Sequence, residues 1–276
     1  MEIWGAFVGL ISSALTLFGD VIRGAGIPYS FGFAIILFTL VVKLVTMPLT
    51  FQQLRSSKAM QDLQPQLKDL QKKHKDDKEK LAQAQMDLYK QAGVNPFGGC
   101  LPMIIQMPIW IGLYQALFNL AKVGLLNQGF FWIPSLAEPK NMEWLTRLWP
   151  PPQTLDPWIY AAALLVLPIL TVISQVIVQK MMTPANPDSQ QSAMNQSMMI
   201  MPFMFGFFSL QVPQGLVLYW VTSNVFALLQ QLFVNRWMAV PIPSVSATPV
   251  TAEAAVNKSP VVTKGTKKDA KRKGKR

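Results

Sequence analysis

From Phe31 to Leu49 the chain is almost wholly apolar, long enough at about 1.5 Å per residue to cross most of a bilayer's hydrocarbon core. One ammonium, Lys43, interrupts this run. A charged side chain among lipid tails costs about 3 kcal/mol or more, so it normally faces protein or a water-filled cavity and marks function. Thr39 lies one turn earlier on the same helix face, which makes a short polar stripe. The plainer alternative is that Lys43 snorkels to a water boundary signalled two turns on by Thr50, Gln52 and Arg55.

Composition agrees with a membrane setting. Of 276 residues 51% are hydrophobic and only 14% charged, against about a quarter charged in soluble domains. The net charge of +11 is concentrated in Arg55 to Lys90 and Lys258 to Arg276, and the positive-inside rule places both segments in the cytoplasm. A single cysteine, Cys100, and a single histidine, His74, offer neither an internal disulfide nor a metal cluster, and no cofactor is expected. The N-terminus has no basic region or cleavage site of a secretory signal and reads as retained.

The chain reads as an all-α membrane protein with five transmembrane helices, N-terminus outside and C-terminus inside. Residues 1–27 hold a short helix, Ile3 to Phe18, read as interfacial rather than spanning because Asp20, Arg23 and the turn at Gly26 to Pro28 follow closely. Residues 28–53 are the first span. Residues 54–93 form a cytoplasmic helical hairpin, with Met60, Leu63, Leu67 and Leu70 at helical spacing and a charged turn at Lys72 to Asp77. The second span is 94–121, followed by an external loop over 122–156 with Trp132, Trp144 and Trp149, and with Trp158 just beyond it. The remaining spans are 157–180, 193–211 and 213–237, with a cytoplasmic loop over 181–192. Residues 238–276 are a disordered basic tail.

Leu88 to Ala137, Pro157 to Pro187 and Ser189 to Ala252 contain no Asp or Glu. An intramembrane aspartyl protease, a zinc protease and a carboxylate proton relay all need acids or several histidines there. No nucleophile elbow or phosphate-cradling loop is present, so an enzyme is not expected. The spans instead carry Thr39, Lys43, Gln106, Gln175, Asn195, Gln196, Tyr219, Thr222, Ser223, Asn224 and Gln230, some of which serve only as hydrogen bonds between helices.

Val42 to Thr50 (VKLVTMPLT), Val94 to Pro102 (VNPFGGCLP), Gln106 to Ile109, Phe131 to Pro134, Met182 to Pro184 and Pro213 to Asn224 together resemble the YidC/Oxa/Alb membrane-protein insertase family. The resemblance runs from about Gly19 to Trp237 and implies a five-helix core around a hydrophilic groove open to cytoplasm and lipid. It places the family's groove arginine at Lys43 and its substrate-contacting positions at Thr39, Tyr219 and Trp220. Lysine keeps the charge and loses the planar fork, so simple attraction survives where bidentate clamping does not.

The function this implies is insertion of nascent membrane proteins into a bacterial plasma membrane. Thr39, Lys43, Gln106, Gln175, Tyr219 and Trp220 are expected to line the groove. Lys267, Lys268, Lys271, Arg272, Lys273, Lys275 and Arg276 are expected to meet ribosomal RNA or anionic lipids, and a Sec translocon is a further partner. The rival class is a small-anion transporter or channel with Lys43 as its anion site; an internal repeat would favour it, and none is visible. A structural assembly chaperone is a third reading.

Overall fold

The computed structural model describes residues 2–93, 101–139, 142–146, 148, 154–182 and 189–237, without the side chains of 101–105, 143, 182, 189–198, 235 and 237. The junction over 94–100, residues 183–188 of the 181–192 loop, the side chains of Asn195 and Gln196, Trp149, and the basic tail with Lys267, Lys268, Lys271, Arg272, Lys273, Lys275 and Arg276 lie outside the described residues.

Among the described residues the fold is all-helical apart from one bridge between Phe130 and Ile133. The helices are α1 (Glu2–Gly24), α2 (Ser30–Val45), α3 (Met47–Asp62), α4 (Gln64–Lys73), α5 (Lys78–Gln91), α6 (Leu101–Lys122), α7 (Glu143–Thr146), α8 (Asp156–Met182), α9 (Ser189–Ser209) and α10 (Gln214–Trp237). By length and composition α1, α8 and α10 can each cross a membrane, and the bent pair α2–α3 makes a fourth candidate. Five spans were expected. α6 and α9 are described with side chains only over 106–122 and 199–209, stretches too short to count as spans by themselves.

α1 is longer than the helix expected over Ile3 to Phe18. It continues through Asp20 and Arg23, which form an ion pair at 3.6 Å, to Gly24. It stops in a Schellman motif: Gly26, at φ 74°, donates to the Arg23 carbonyl and Ile27 to that of Ile22. A side chain at Gly26 would be strained, which is why the chain turns here. The buried stripe Val8, Ile11, Leu15 and Gly19 packs on α2 and α6. Its contacts cluster where α6 ends and α2 begins: Trp4 Nε1 donates to Gln115 Oε1 at 2.9 Å, and Gly19 abuts the Phe31 ring.

Within the first span expected over 28–53, the chain bends by 64° between α2 and α3. Pro48, in the first turn of α3, has no N–H to give to the Leu44 carbonyl, and its ring crowds that oxygen. The Thr46 hydroxyl donates to the Val42 carbonyl at 2.8 Å, a back-bond that itself bends helices. α3 thus leads out of the bundle toward α4 and α5. These two are joined over residues 74–77, and Leu63, Leu67 and Leu88 are buried. Asp77 caps α5, accepting from the Lys80 backbone N–H at 3.0 Å, with the Lys80 ammonium 2.9 Å away. Those bonds hold its carboxyl below the usual carboxylate range.

Specific contacts fix the directions of the bundle helices. α10 starts beside α2, where a Cβ on Gly215 would lie 3.1 Å from Ile35, and reaches α3 at the Phe51–Phe233 ring pair, 6.3 Å between centroids. The two therefore run the same way. α8 and α10 also run together: Gln214 Nε2 donates to the Leu164 carbonyl at 3.0 Å, and Asn224 Nδ2 to Ser174 Oγ at 3.0 Å. α6 runs opposite, with Leu117 near Gly215 and Gln106 bonded to Tyr219. The loop over 125–137 closes the end where α2 and α10 begin, since Gly215 donates to the Leu136 carbonyl and Gln214 to that of Glu138.

Candidate functional site

Polar groups inside the bundle gather about the middle of α10. Ile35 meets Gly215 and α2 and α10 run the same way, so at the shared rise per residue Lys43, eight residues on, comes level with Ser223 and Asn224. The Lys43 side chain is half-buried and makes no hydrogen bond or ion pair with the described residues. Thr39 is fully buried at 0% exposure and spends its hydroxyl proton on the Ile35 carbonyl at 2.7 Å. The stripe read from the sequence is therefore asymmetric: the ammonium is partly open, and the hydroxyl is locked into its own helix.

Two hydrogen-bonded groups accompany Lys43 at this level. Gln106 Nε2 donates to the Tyr219 hydroxyl at 2.6 Å, and Ser223 also bonds that hydroxyl. Across α10, Asn224 donates to Ser174 Oγ, which donates to the Thr171 carbonyl at 3.1 Å, while Thr171 bonds the Leu167 carbonyl at 2.9 Å. The half-buried Gln175, next to Ser174, makes no hydrogen bond with the described residues.

Trp220 stands apart from the other expected groove residues. Consecutive helix residues point about 100° apart, so Tyr219 meets Gln106 while Trp220 enters an aromatic cluster. Its ring stacks on Trp110 at 6.0 Å and meets Phe205 edge-on at 5.6 Å. Here Trp220 packs among aromatic rings.

Ser174 and Thr171 are members the sequence reading missed. Thr171, Ser174 and Gln175 are the polar residues of an otherwise apolar stretch of α8, a signal of which only Gln175 was used. Nothing local announces that residues fifty positions apart pair twice.

Among the described residues this layer holds one cation, several amides and hydroxyls, and no acid. Among the described residues no three His, Cys, Asp or Glu side chains gather as metal ligands. It can attract an anionic group and hydrogen-bond peptide or water.

The fold and this layer define a class: an all-helical, multi-pass membrane protein with a lone cation within a hydrogen-bonding interior. Residues 23–241 match the family described as 60Kd inner membrane protein, and the chain belongs to this YidC/Oxa/Alb family. It is 45% identical over 84% of its length to the inner membrane ALBINO3-like protein 2, chloroplastic, of Chlamydomonas reinhardtii, covering 56% of that protein. It is 41% identical over 84% of its length to the inner membrane protein ALBINO3, chloroplastic, of Arabidopsis thaliana, covering 53% of it. It is 38% identical over 76% of its length to the membrane protein insertase YidC of Citrifermentans bemidjiense, covering 34% of it. The chain thus spans about half the length of these chloroplast relatives and a third of the bacterial one.

Proposed function

We propose that the protein is a membrane-protein insertase, not an enzyme, that lowers the barrier to moving a nascent chain's polar segment into and across the bilayer. The observation that carries this reading is the half-buried ammonium of Lys43, without a partner among the described residues and level with Tyr219, Ser223 and Asn224. An intramembrane cation without a resident counter-ion is costly unless it serves a transient anionic partner. At an effective dielectric of about 20 and ~4 Å, such attraction supplies about 4 kcal/mol before desolvation is subtracted, enough to bias entry without trapping.

In this reading α2–α3, α6, α8, α9 and α10 are the five spans around a hydrophilic groove, and α1 lies along the outer boundary. The hairpin of α4 and α5 faces the cytoplasm. Clients are nascent membrane proteins, which enter from the cytoplasm and leave sideways into lipid. The cationic residues from Lys267 to Arg276 hold ribosomal RNA or anionic lipid, and the protein works in a bacterial plasma membrane alone or beside a Sec translocon.

Photocrosslinking tests this. A photoreactive residue at Gln106 or Ser223, both half-buried, is expected to capture a ribosome-stalled single-span membrane protein, whereas one at Trp220 captures little. Equal capture from Trp220, or none from Gln106 and Ser223, would remove the groove from this account.

A further inference from the structure

A second polar position lies toward the end of α10 that meets α3. Gln230 is 6% exposed, and neither its Nε2 nor its Oε1 has a hydrogen-bond partner. Buried polar side chains are almost always paired, and leucine or methionine would fill the same space without that cost. Phe226, Ala227, Leu228 and Leu229 before it are all apolar.

A carboxamide presents a donor and an acceptor in one plane. That pattern complements a peptide group, which offers one C=O and one N–H, better than it complements a lone charge or hydrocarbon. A chain entering a membrane before it becomes helical carries such groups unpaired, and each is costly in an apolar medium.

The surroundings indicate how a peptide would arrive. Phe233, one turn on from Gln230, meets Phe51 of α3, and α3 buries Leu54 one turn beyond. α3 hangs from α2 by the 64° bend at Thr46, where Pro48 has already removed a helix hydrogen bond. On α10 the flanking Leu229 and Phe233 are 60% and 49% exposed, so the position lies close to the bundle surface. We infer that Gln230 is a main-chain binding position covered by α3 in this conformation, which pairs with a peptide group of an extended client segment when α3 swings aside about Thr46. This rests on the insertase reading and adds a site distinct from the Lys43 layer.

The test uses the full-length protein, Gln230→Met and a ribosome-stalled single-span membrane protein, with photoreactive phenylalanine at position 51 or, separately, 223. Removing an orphaned carboxamide is expected to raise the thermal midpoint by about 2–4 °C. Capture from position 51 should fall roughly three- to tenfold, with capture from position 223 unchanged. A midpoint that falls or stays level would mean the carboxamide is already satisfied, for instance by water, and would overturn the inference. So would unchanged capture from position 51. Absence of capture from both positions in the otherwise unaltered protein would instead bring down the insertase reading, and this site with it.

Discussion

Lys43→Ala is expected to slow insertion of clients with acidic outer tails by roughly tenfold, about 1.4 kcal/mol in the barrier, while Lys43→Arg retains most of the rate. The ammonium is the one formal charge between Ser30 and Leu54, and the residues level with it supply dipoles only. Loss of the cation removes the attraction and leaves the hydrogen bonds of Gln106, Tyr219, Ser174 and Asn224 in place. Clients with uncharged outer tails should therefore respond much less. The comparison is a reconstituted insertion assay with two clients differing only in tail charge. Equal slowing of both would assign Lys43 a structural role.

The largest loss of stability is expected at the opposite end of α2. A Cβ on Gly32 would collide with the Phe130 ring, and that ring has little room to retreat. It packs edge-on to Phe33 at 5.3 Å and to Phe131 at 4.7 Å, and its backbone exchanges two 2.9 Å hydrogen bonds with Ile133. Gly32→Val should cost about 1–3 kcal/mol by overpacking, seen as a lower thermal midpoint in detergent. Gly32→Ala should cost less, because helix propensity returns up to about 1 kcal/mol. Gly5 has nothing within 4 Å of its Cβ position, so Gly5→Ala should leave the midpoint unchanged or raise it. If Gly32→Val and Gly5→Ala behave alike, the loop over 125–137 is not clamped to α2 through this contact.

Much of this arrangement was legible in the residues because it is local. An apolar run holding one lysine is visible without coordinates, as is the leucine spacing of the hairpin. The 64° bend was harder to read. Pro48 and Thr46 are both in view, but membrane helices tolerate a proline in an apolar run, so its presence alone does not specify a bend. The site was legible one residue at a time. Gln106 and Tyr219 could be named as polar members of their helices, yet their 2.6 Å hydrogen bond depends on how α6 crosses α10. The Ser174–Asn224 pair depends likewise on the register of α8 against α10. The resemblance sets substrate-contacting positions at both Tyr219 and Trp220, which are neighbours in sequence. Helical geometry separates them, and Trp110, whose ring fixes that separation, carried no polar signal to draw attention.

The most direct measurement of the central claim places the purified full-length protein in liposomes, without nucleotide, and follows two signals in parallel. One is protease protection of a single-span client's outer tail, and the other is the flux of a small anion such as chloride. The insertase account predicts protected client in proportion to protein, dependence on Lys43, and no anion flux above protein-free liposomes. Lys43-dependent chloride flux with an unprotected client would contradict it and identify a transporter.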